Sequence, residues 1–273
     1  MVPHFIDYRS CCLNLELSSY CNLKCGFCSQ FNNTLSDKGF LSFELFRKII
    51  DEISGKGVTL KSLNPFFRGE SLLHPDFVRM MDYIYDLSKK IPVCEYLVLH
   101  TNALLLDLEK PEAILKLCDQ NRLIHPGNLF LSIDAASAIT YSKVRGGDFN
   151  QLLLNISEFL EMRKKRKQWG PNVIFQFIVM EENYREAAEF YELCRNLCRL
   201  HSHKELAAVG SRGNQPFEVK GDIVYYRMKE TDACGQRKME ELYLKTLDKL
   251  GIETLVILND HSSSARPGNR SAR

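Results

Sequence analysis

Two kinds of segment alternate along most of the 273-residue chain: short apolar runs of strand length, and longer stretches in which apolar residues recur every three or four positions. The predicted strands cover residues 13–17, 60–67, 96–100, 129–133 and 173–180. The predicted helices follow them at residues 43–53, 77–87, 111–121, 149–167 and 185–200. Such alternation predicts parallel strands that are joined by right-handed helical crossovers.

Five strand–helix units fall short of the eight that close a complete barrel. Further short strands are predicted near residues 207–209 and 223–226. The fold class is therefore predicted to be α/β, a partial (βα)6 TIM-like barrel with a short C-terminal helix–strand extension. The barrel core is assigned to residues 1–210, the extension to residues 211–260, and a disordered tail to residues 261–273. Functional residues are expected at the C-terminal ends of the strands.

The charge of the chain argues against nucleic-acid binding. Lys and Arg number 36 against 34 Asp and Glu, and the last thirteen residues hold three Arg and no acid, so the remainder carries 33 − 34 = −1. The one internal basic run, residues 163–167, falls at the predicted end of a helix, where the helix dipole favours positive charge, and is interpreted as a solvated helix end. No nucleic-acid partner is predicted.

The hydrophobic pattern argues against a membrane protein. The longest apolar runs, such as residues 173–180, are much shorter than the roughly 20 residues that span a bilayer. The first residues do not show a basic segment followed by an apolar one, so no secretory signal is predicted. We therefore expect a cytoplasmic protein without a membrane partner.

Three of the ten cysteines form a C-x3-C-x2-C motif, Cys21, Cys25 and Cys28, on the loop after the first predicted strand. Three thiolates can bind three of the four irons of a [4Fe–4S] cluster, whereas an electron-carrying cluster normally takes four cysteines. The fourth iron would then be open to a ligand. The alternatives are a zinc knuckle and three buried thiols. Zinc usually requires a fourth Cys or His nearby, and no His lies between Cys12 and Cys28.

The remaining cysteines lack metal-ligand spacing. Six are interpreted as core or strand-flanking thiols: Cys11, Cys12, Cys94, Cys118, Cys194 and Cys198. Cys234 is not assigned a role. A single cluster is therefore predicted.

Further motifs follow the later predicted strands in order. Arg68-Gly69-Glu70-Ser71-Leu72-Leu73-His74-Pro75 resembles G-E-P-L-L-H-P, and Thr101-Asn102-Ala103 resembles T-N-G. Ser132-Ile133-Asp134 resembles S-x-D, and Tyr141 to Gly146 resembles Y-x-x-x-R-G. With the cysteine motif, these segments make the chain similar to the radical S-adenosylmethionine (SAM) enzyme superfamily. The core resembles the SPASM/twitch-type and MoaA-like branch, without the C-terminal auxiliary-cluster cysteines of that branch.

The resemblance implies which residues bind the cofactors. Cys21, Cys25 and Cys28 would bind the [4Fe–4S] cluster. The implied SAM-binding residues are Phe27, Gly69, Glu70, Thr101, Asn102, Ser132, Asp134, Arg145 and Val179. Within this set, the resemblance implies that Gly69 and Glu70 bind the SAM amino group, that Ser132 and Arg145 contact its carboxylate, and that Phe27 and the segment around Val179 lie near the adenine.

Alternative roles stay open for some of these residues. Ser132 could cap a strand end, and Arg145 could pair with Asp148. Ser71 replaces the usual proline and Ala103 the usual glycine, and Ala103 is expected to avoid a positive φ.

The resemblance also implies a reaction: reductive cleavage of SAM at the cluster gives a 5′-deoxyadenosyl radical, which abstracts hydrogen from a small-molecule or peptide substrate. Peptide or protein modification and small-molecule dehydrogenation are both compatible with these motifs. An electron donor such as flavodoxin or ferredoxin is the implied partner. The alternative is a non-catalytic iron–sulfur or SAM-binding protein, or a partner-dependent remnant of such an enzyme.

Overall fold

One sheet of seven parallel strands forms the centre of the protein. The structure, a computed structural model, describes residues 11–28, 38–107, 109–118, 127–166, 170–201, 206–211, 221–229 and 233–252. The strands are β1 Cys12–Asn14, β2 Leu60–Asn64, β3 Cys94–Thr101, β4 Asn128–Ser132, β5 Asn172–Val179, β6 Leu206–Ser211 and β7 Asp222–Met228. Their order is β1-β2-β3-β4-β5-β7-β6. Because β1 and β6 do not pair within the described residues, the sheet stays open, and the prediction of an α/β partial barrel is confirmed.

Helices connect the strands and cover one face of the sheet. They are α1 Phe43–Gly55, α2 Phe77–Ser88, α3 Lys110–Leu117, α4 Ala138–Val144, α5 Phe149–Lys165, α6 Ala187–His201 and α7 Ala233–Leu250. Side chains at the N-termini of α1, α4 and α5 accept hydrogen bonds from the first-turn amides: Ser42, Ser137 and Asp148. Among the helices of the described ranges, none combines the length and apolar composition that a bilayer-spanning helix requires.

The two faces of the sheet bury different sets of side chains. Alternate strand residues pack outward against the helices in the main core, whereas the others form a second cluster on the concave inner face. The inner cluster comprises Tyr96, Val98, Phe130, Ile174, Ile223 and Tyr225. The ring of His100 stacks between Phe66 and Phe130, with centroid separations of 4.0 and 4.1 Å. The inner face beneath the C-terminal ends of the strands is therefore packed with side chains.

Strand β7 enters the sheet between β5 and β6, although it follows β6 in sequence. Its first residue, Asp222, is fully buried. The Asp222 carboxylate accepts hydrogen bonds from Arg163 of α5, at 2.8 and 2.5 Å, and from the Val173 amide of β5, at 2.9 Å. Arg163 is only 5% exposed, so the interpretation of residues 163–167 as a solvated helix end is wrong for this residue. Asp222 therefore connects the start of β7 to α5 through the ion pair and to β5 through the Val173 amide.

Several boundaries differ from the sequence-based expectations. The first strand is shorter than predicted and includes Cys12, and α3 ends at Leu117 rather than at residue 121. Cys94, Cys118, Cys194 and Cys198 are buried, as expected for core thiols. The strand predicted after α7 and the tail at residues 261–273 lie outside the described residues.

Candidate cofactor site

The loop after β1 brings the three motif cysteines together. Cys25 is buried, with 6% of its surface exposed, Cys28 is half-buried and Cys21 is exposed. The Cys28 amide donates to the Cys25 carbonyl oxygen at 3.0 Å, which makes a tight turn of the loop. The charges of Cys25 and Cys28 contribute to raising the pKa of Cys21, and that of Cys28 contributes to raising the pKa of Cys25, so the three sulfurs lie near one another.

The donor set fits an iron–sulfur cluster better than a single metal ion. Within the part of the chain that the structure describes, no three His, Cys, Asp or Glu side chains converge as the ligands of one ion would. A cubane cluster instead binds each thiolate to a different iron, and its usual ligands are all cysteines. Burial raises the pKa of the Cys21 and Cys25 thiols. Because iron binds the thiolate form, both thiols must lose their protons when the cluster binds.

The segment after β2 packs directly on the cysteine loop. The Glu70 amide donates to the Tyr20 carbonyl at 2.8 Å, and Glu16 accepts hydrogen bonds from the Arg68 and Gly69 amides at 2.8 and 3.3 Å. A Cβ atom on Gly69 would lie 1.9 Å from the carbonyl oxygen of Ser18. Only glycine allows this approach of the two backbones.

We expect Gly69→Ala to displace the cysteine loop, because the added methyl group would collide with backbone rather than with a movable side chain. The free energy of unfolding should fall by about 1–3 kcal/mol, as for other overpacked sites. Iron bound per chain after anaerobic reconstitution should fall as well. Gly26→Ala is the matched control within the loop, because nothing lies within 4 Å of a Cβ there. Equal iron content in the two variants would contradict the close packing.

The Glu70 carboxylate connects its own segment after β2 to the turn after β3. It is 3% exposed and accepts hydrogen bonds from the Leu72 amide, the Thr101 hydroxyl and the Asn102 amide at 3.1, 2.9 and 2.8 Å. Burial raises the pKa of Glu70, and these three donors and Arg145 oppose that shift. An ionised carboxylate can accept about four hydrogen bonds, so Glu70 can accept one more donor.

The turn after β3 reaches back to the cysteine loop. The Asn102 side-chain amide donates to Asn22 at 2.8 Å and lies 3.9 Å from the Cys21 sulfur. Ala103 has a φ of 60°, so the expectation that it avoids a positive φ is wrong. Hydrogen bonds hold the turn in this conformation: the Ala103 amide donates to the Thr101 hydroxyl, and the Asn155 side chain donates to the Ala103 carbonyl.

Arg145 forms a buried ion pair with Asp134 at the end of β4. The guanidinium donates through both Nε and Nη2 to one oxygen of Asp134, and its Nη1 lies 3.8 Å from the Cys25 sulfur. The same guanidinium lies 5.1 Å from the centre of the Phe27 ring. The alternative pairing with Asp148 is wrong, because that carboxylate caps the N-terminus of α5. Burial alone would lower the pKa of Arg145, but Asp134 raises it, so the guanidinium stays charged.

The last two predicted SAM-binding residues lie on different faces of the sheet. Ser132 is half-buried on the inner face, where its hydroxyl accepts a 3.5 Å hydrogen bond from Gln176. The Val179 side chain is fully buried in the outer core, so that only its backbone can border the site. Sequence reasoning missed Gln176, which is 4% exposed. Its polar side chain within the apolar run at residues 173–180 was the available signal.

Comparison with known proteins defines the class of this protein. Residues 15–194 match the family model described as the radical SAM superfamily, which is more than half of the chain. The chain therefore belongs to the radical SAM superfamily of enzymes, whose members use a [4Fe–4S] cluster and SAM.

The individual relatives described below share less than 30% of their residues with this chain. The chain is 29% identical over 206 residues to the AdoMet-dependent heme synthase of Methanosarcina barkeri, covering 75% of this chain and 52% of that protein. It is 25% identical over 189 residues to the tungsten-containing aldehyde ferredoxin oxidoreductase cofactor-modifying protein of Pyrococcus furiosus, covering 68% and 48%. The chain thus spans about half the length of these relatives. Streptococcus suis SuiB bound to precursor peptide SuiA shares the fold, with a TM-score of 0.56 and 15% identity over 90% of this chain and 48% of SuiB.

Proposed function

We propose that this chain is a radical SAM enzyme that abstracts a hydrogen atom from its substrate. The observation that carries the proposal is the contact of the three-cysteine loop with three other segments: Gly69 after β2, Asn102 after β3, and Arg145 at the C-terminus of α4. When bound, the cluster and SAM supply an electron and a 5′-deoxyadenosyl radical, and this chemistry belongs to the cofactors rather than to side chains.

The residues of the chain bind and orient the cofactors. Cys21, Cys25 and Cys28 would each bind one iron of the cluster, and the fourth iron would be left for SAM. Glu70 has capacity for one more donor, and the SAM ammonium group fits that requirement. Ser132 and Arg145 provide a hydroxyl and a cation for the SAM carboxylate.

The adenine end of SAM is assigned to two other positions. Phe27 and the backbone around Val179 border it, while Thr101 and Asn102 fix the Glu70 carboxylate through their hydrogen bonds. The side chains that fill the inner face of the sheet limit the access of water to the cofactors through the sheet, and this protects a reactive radical.

The substrate is assigned to the inner face at the C-terminal ends of the strands, beside the cofactors. We propose a small molecule or a peptide, with dehydrogenation or peptide modification as the reaction. The name of one relative describes heme synthesis and that of another cofactor modification, and SuiB binds a precursor peptide. A flavodoxin or ferredoxin would supply the electron.

Anaerobic reconstitution with iron and sulfide, followed by addition of dithionite and SAM, tests the proposed function. We expect 5′-deoxyadenosine and methionine to accumulate in equal amounts, and neither to form when dithionite is omitted. A protein that binds four irons and SAM but yields no 5′-deoxyadenosine would be a non-catalytic SAM-binding protein, and the proposal would be wrong.

Glu70→Gln is expected to weaken SAM binding about 10- to 100-fold, because a charge-assisted hydrogen bond contributes about 1.5–3 kcal/mol. The glutamine side chain would also direct an N–H group at one of the three groups that now donate hydrogen bonds to the carboxylate. Equilibrium dialysis of the reconstituted protein with labelled SAM measures the effect. Glu44→Gln, on the exposed side of α1, is the control. A dissociation constant equal to that of the control would remove Glu70 from the SAM site.

A further inference from the structure

Cys25 differs from the other two motif cysteines in its surroundings. It is buried, and a charged guanidinium approaches its sulfur, whereas Cys21 is exposed and has an uncharged amide, that of Asn102, at 3.9 Å. The Cys25 thiol also points to the backbone carbonyl of Arg145 at 3.8 Å. A thiolate cannot donate this second hydrogen bond, so once Cys25 binds iron the contact with the Arg145 guanidinium is the one that persists.

The direction of the Arg145 side chain is fixed by its partner. Asp134 is fully buried, and its second carboxylate oxygen accepts the Ile178 amide at 2.6 Å. Asn183 holds the same turn through a 2.9 Å hydrogen bond to the Asp134 carbonyl, and Asp134 has a φ of 61°. With Nε and Nη2 bound to Asp134, Nη1 is directed at Cys25. The positive end of the ion pair therefore faces the sulfur.

We infer that Arg145, positioned by Asp134, donates an N–H···S hydrogen bond to the Cys25 thiolate and thereby raises the reduction potential of the bound cluster. This inference rests on the proposed function. Reduction adds one negative charge to the cluster, and a hydrogen-bond donor at a ligand sulfur stabilises that charge. The low dielectric around these buried groups strengthens the effect. Arg145 would then help the cluster to accept an electron, a role separate from contact with the SAM carboxylate.

A redox titration in the absence of SAM isolates this role from SAM binding. The EPR signal of the reduced cluster is followed against potential in the wild type and in Arg145→Gln. We expect a more negative midpoint potential in Arg145→Gln. Lys143→Gln is the matched control, because it removes an exposed positive charge from the same helix, two residues away. Its midpoint should equal that of the wild type. An Arg145→Gln cluster with four irons and an unchanged midpoint would overturn the inference.

Loss of Arg145 alone leaves the Asp134 carboxylate buried without its cation, and the variant could fail to hold iron. The double variant Asp134→Asn/Arg145→Gln removes both charges and is titrated in the same way, with the same expected shift. Pulsed EPR of wild type labelled with 15N-arginine gives a second readout. We expect a 15N coupling to the reduced cluster that is absent from the double variant.

The absence of this coupling in the wild type would also overturn the inference. Neither measurement requires SAM cleavage. If Arg145→Gln shows the shift and the wild type shows the coupling, but the wild type forms no 5′-deoxyadenosine, the result would contradict the proposed function alone.

Discussion

Cys25→Ala protein is expected to lose its cluster and to form no 5′-deoxyadenosine above the background without enzyme. Three thiolates leave one iron of a [4Fe–4S] cluster open, so removal of one thiolate leaves two irons without protein ligands. Cys25 is the most buried of the three and the one that contacts Arg145. Iron and sulfide analysis after anaerobic reconstitution, together with product quantification, measures the loss.

Cys12→Ala is the control for this prediction, because Cys12 is also a cysteine near the loop but is exposed on β1. It should bind as much iron as the wild type and form 5′-deoxyadenosine at the same rate. Retention of a full cluster in Cys25→Ala, or its loss in Cys12→Ala, would show that the ligand set has been assigned to the wrong cysteines.

Asp222→Ala is expected to lower the free energy of unfolding by about 3–5 kcal/mol, the usual cost of removing one partner of a buried ion pair. Arg163, 5% exposed, would lose the carboxylate to which it donates two hydrogen bonds, and the Val173 amide would lose its acceptor. Because Asp222 begins β7, the pairing of β7 with β5 should weaken first. Urea denaturation followed by circular dichroism measures the change.

An exposed ion pair provides the comparison for Asp222. Asp82 of α2 pairs with Lys116 of α3 at 2.6 Å, and both side chains are more than a third exposed. Asp82→Ala should therefore change the free energy of unfolding by less than about 1 kcal/mol. Similar losses in the two variants would mean that the Asp222–Arg163 pair does not hold β7 in place.

The sequence predicted the fold because the apolar pattern of each unit is local. Strand β5, predicted at residues 173–180, runs over Asn172–Val179, and α5 ends within two residues of its predicted end. The position of β7 could not be predicted in this way. The contact between Asp222 and Arg163 joins residues that lie 59 positions apart, and no local pattern records whether β6 or β7 pairs with β5.

The candidate site was likewise predictable where the information lies in a short motif, and not where it depends on contacts between distant segments. The three cysteines and Glu70 lie in short motifs whose residue types are informative by themselves, and the structure places them around one loop. The partner of Arg145 was not predictable from spacing, because Asp148 is three residues away and Asp134 eleven. Asp148 is instead occupied by the first amides of α5. The turn at Ala103 is likewise held in part by a hydrogen bond from Asn155, which lies 52 residues further along the chain.

We propose that SAM binds to the open iron at this cysteine loop. The most direct measurement of this binding is pulsed EPR of the reduced, reconstituted wild-type protein with SAM labelled by 15N in the amino group. We expect SAM to change the EPR spectrum of the cluster and a 15N coupling to the cluster to appear. An unchanged spectrum without this coupling, at a SAM concentration that dialysis shows to be saturating, would contradict the claim.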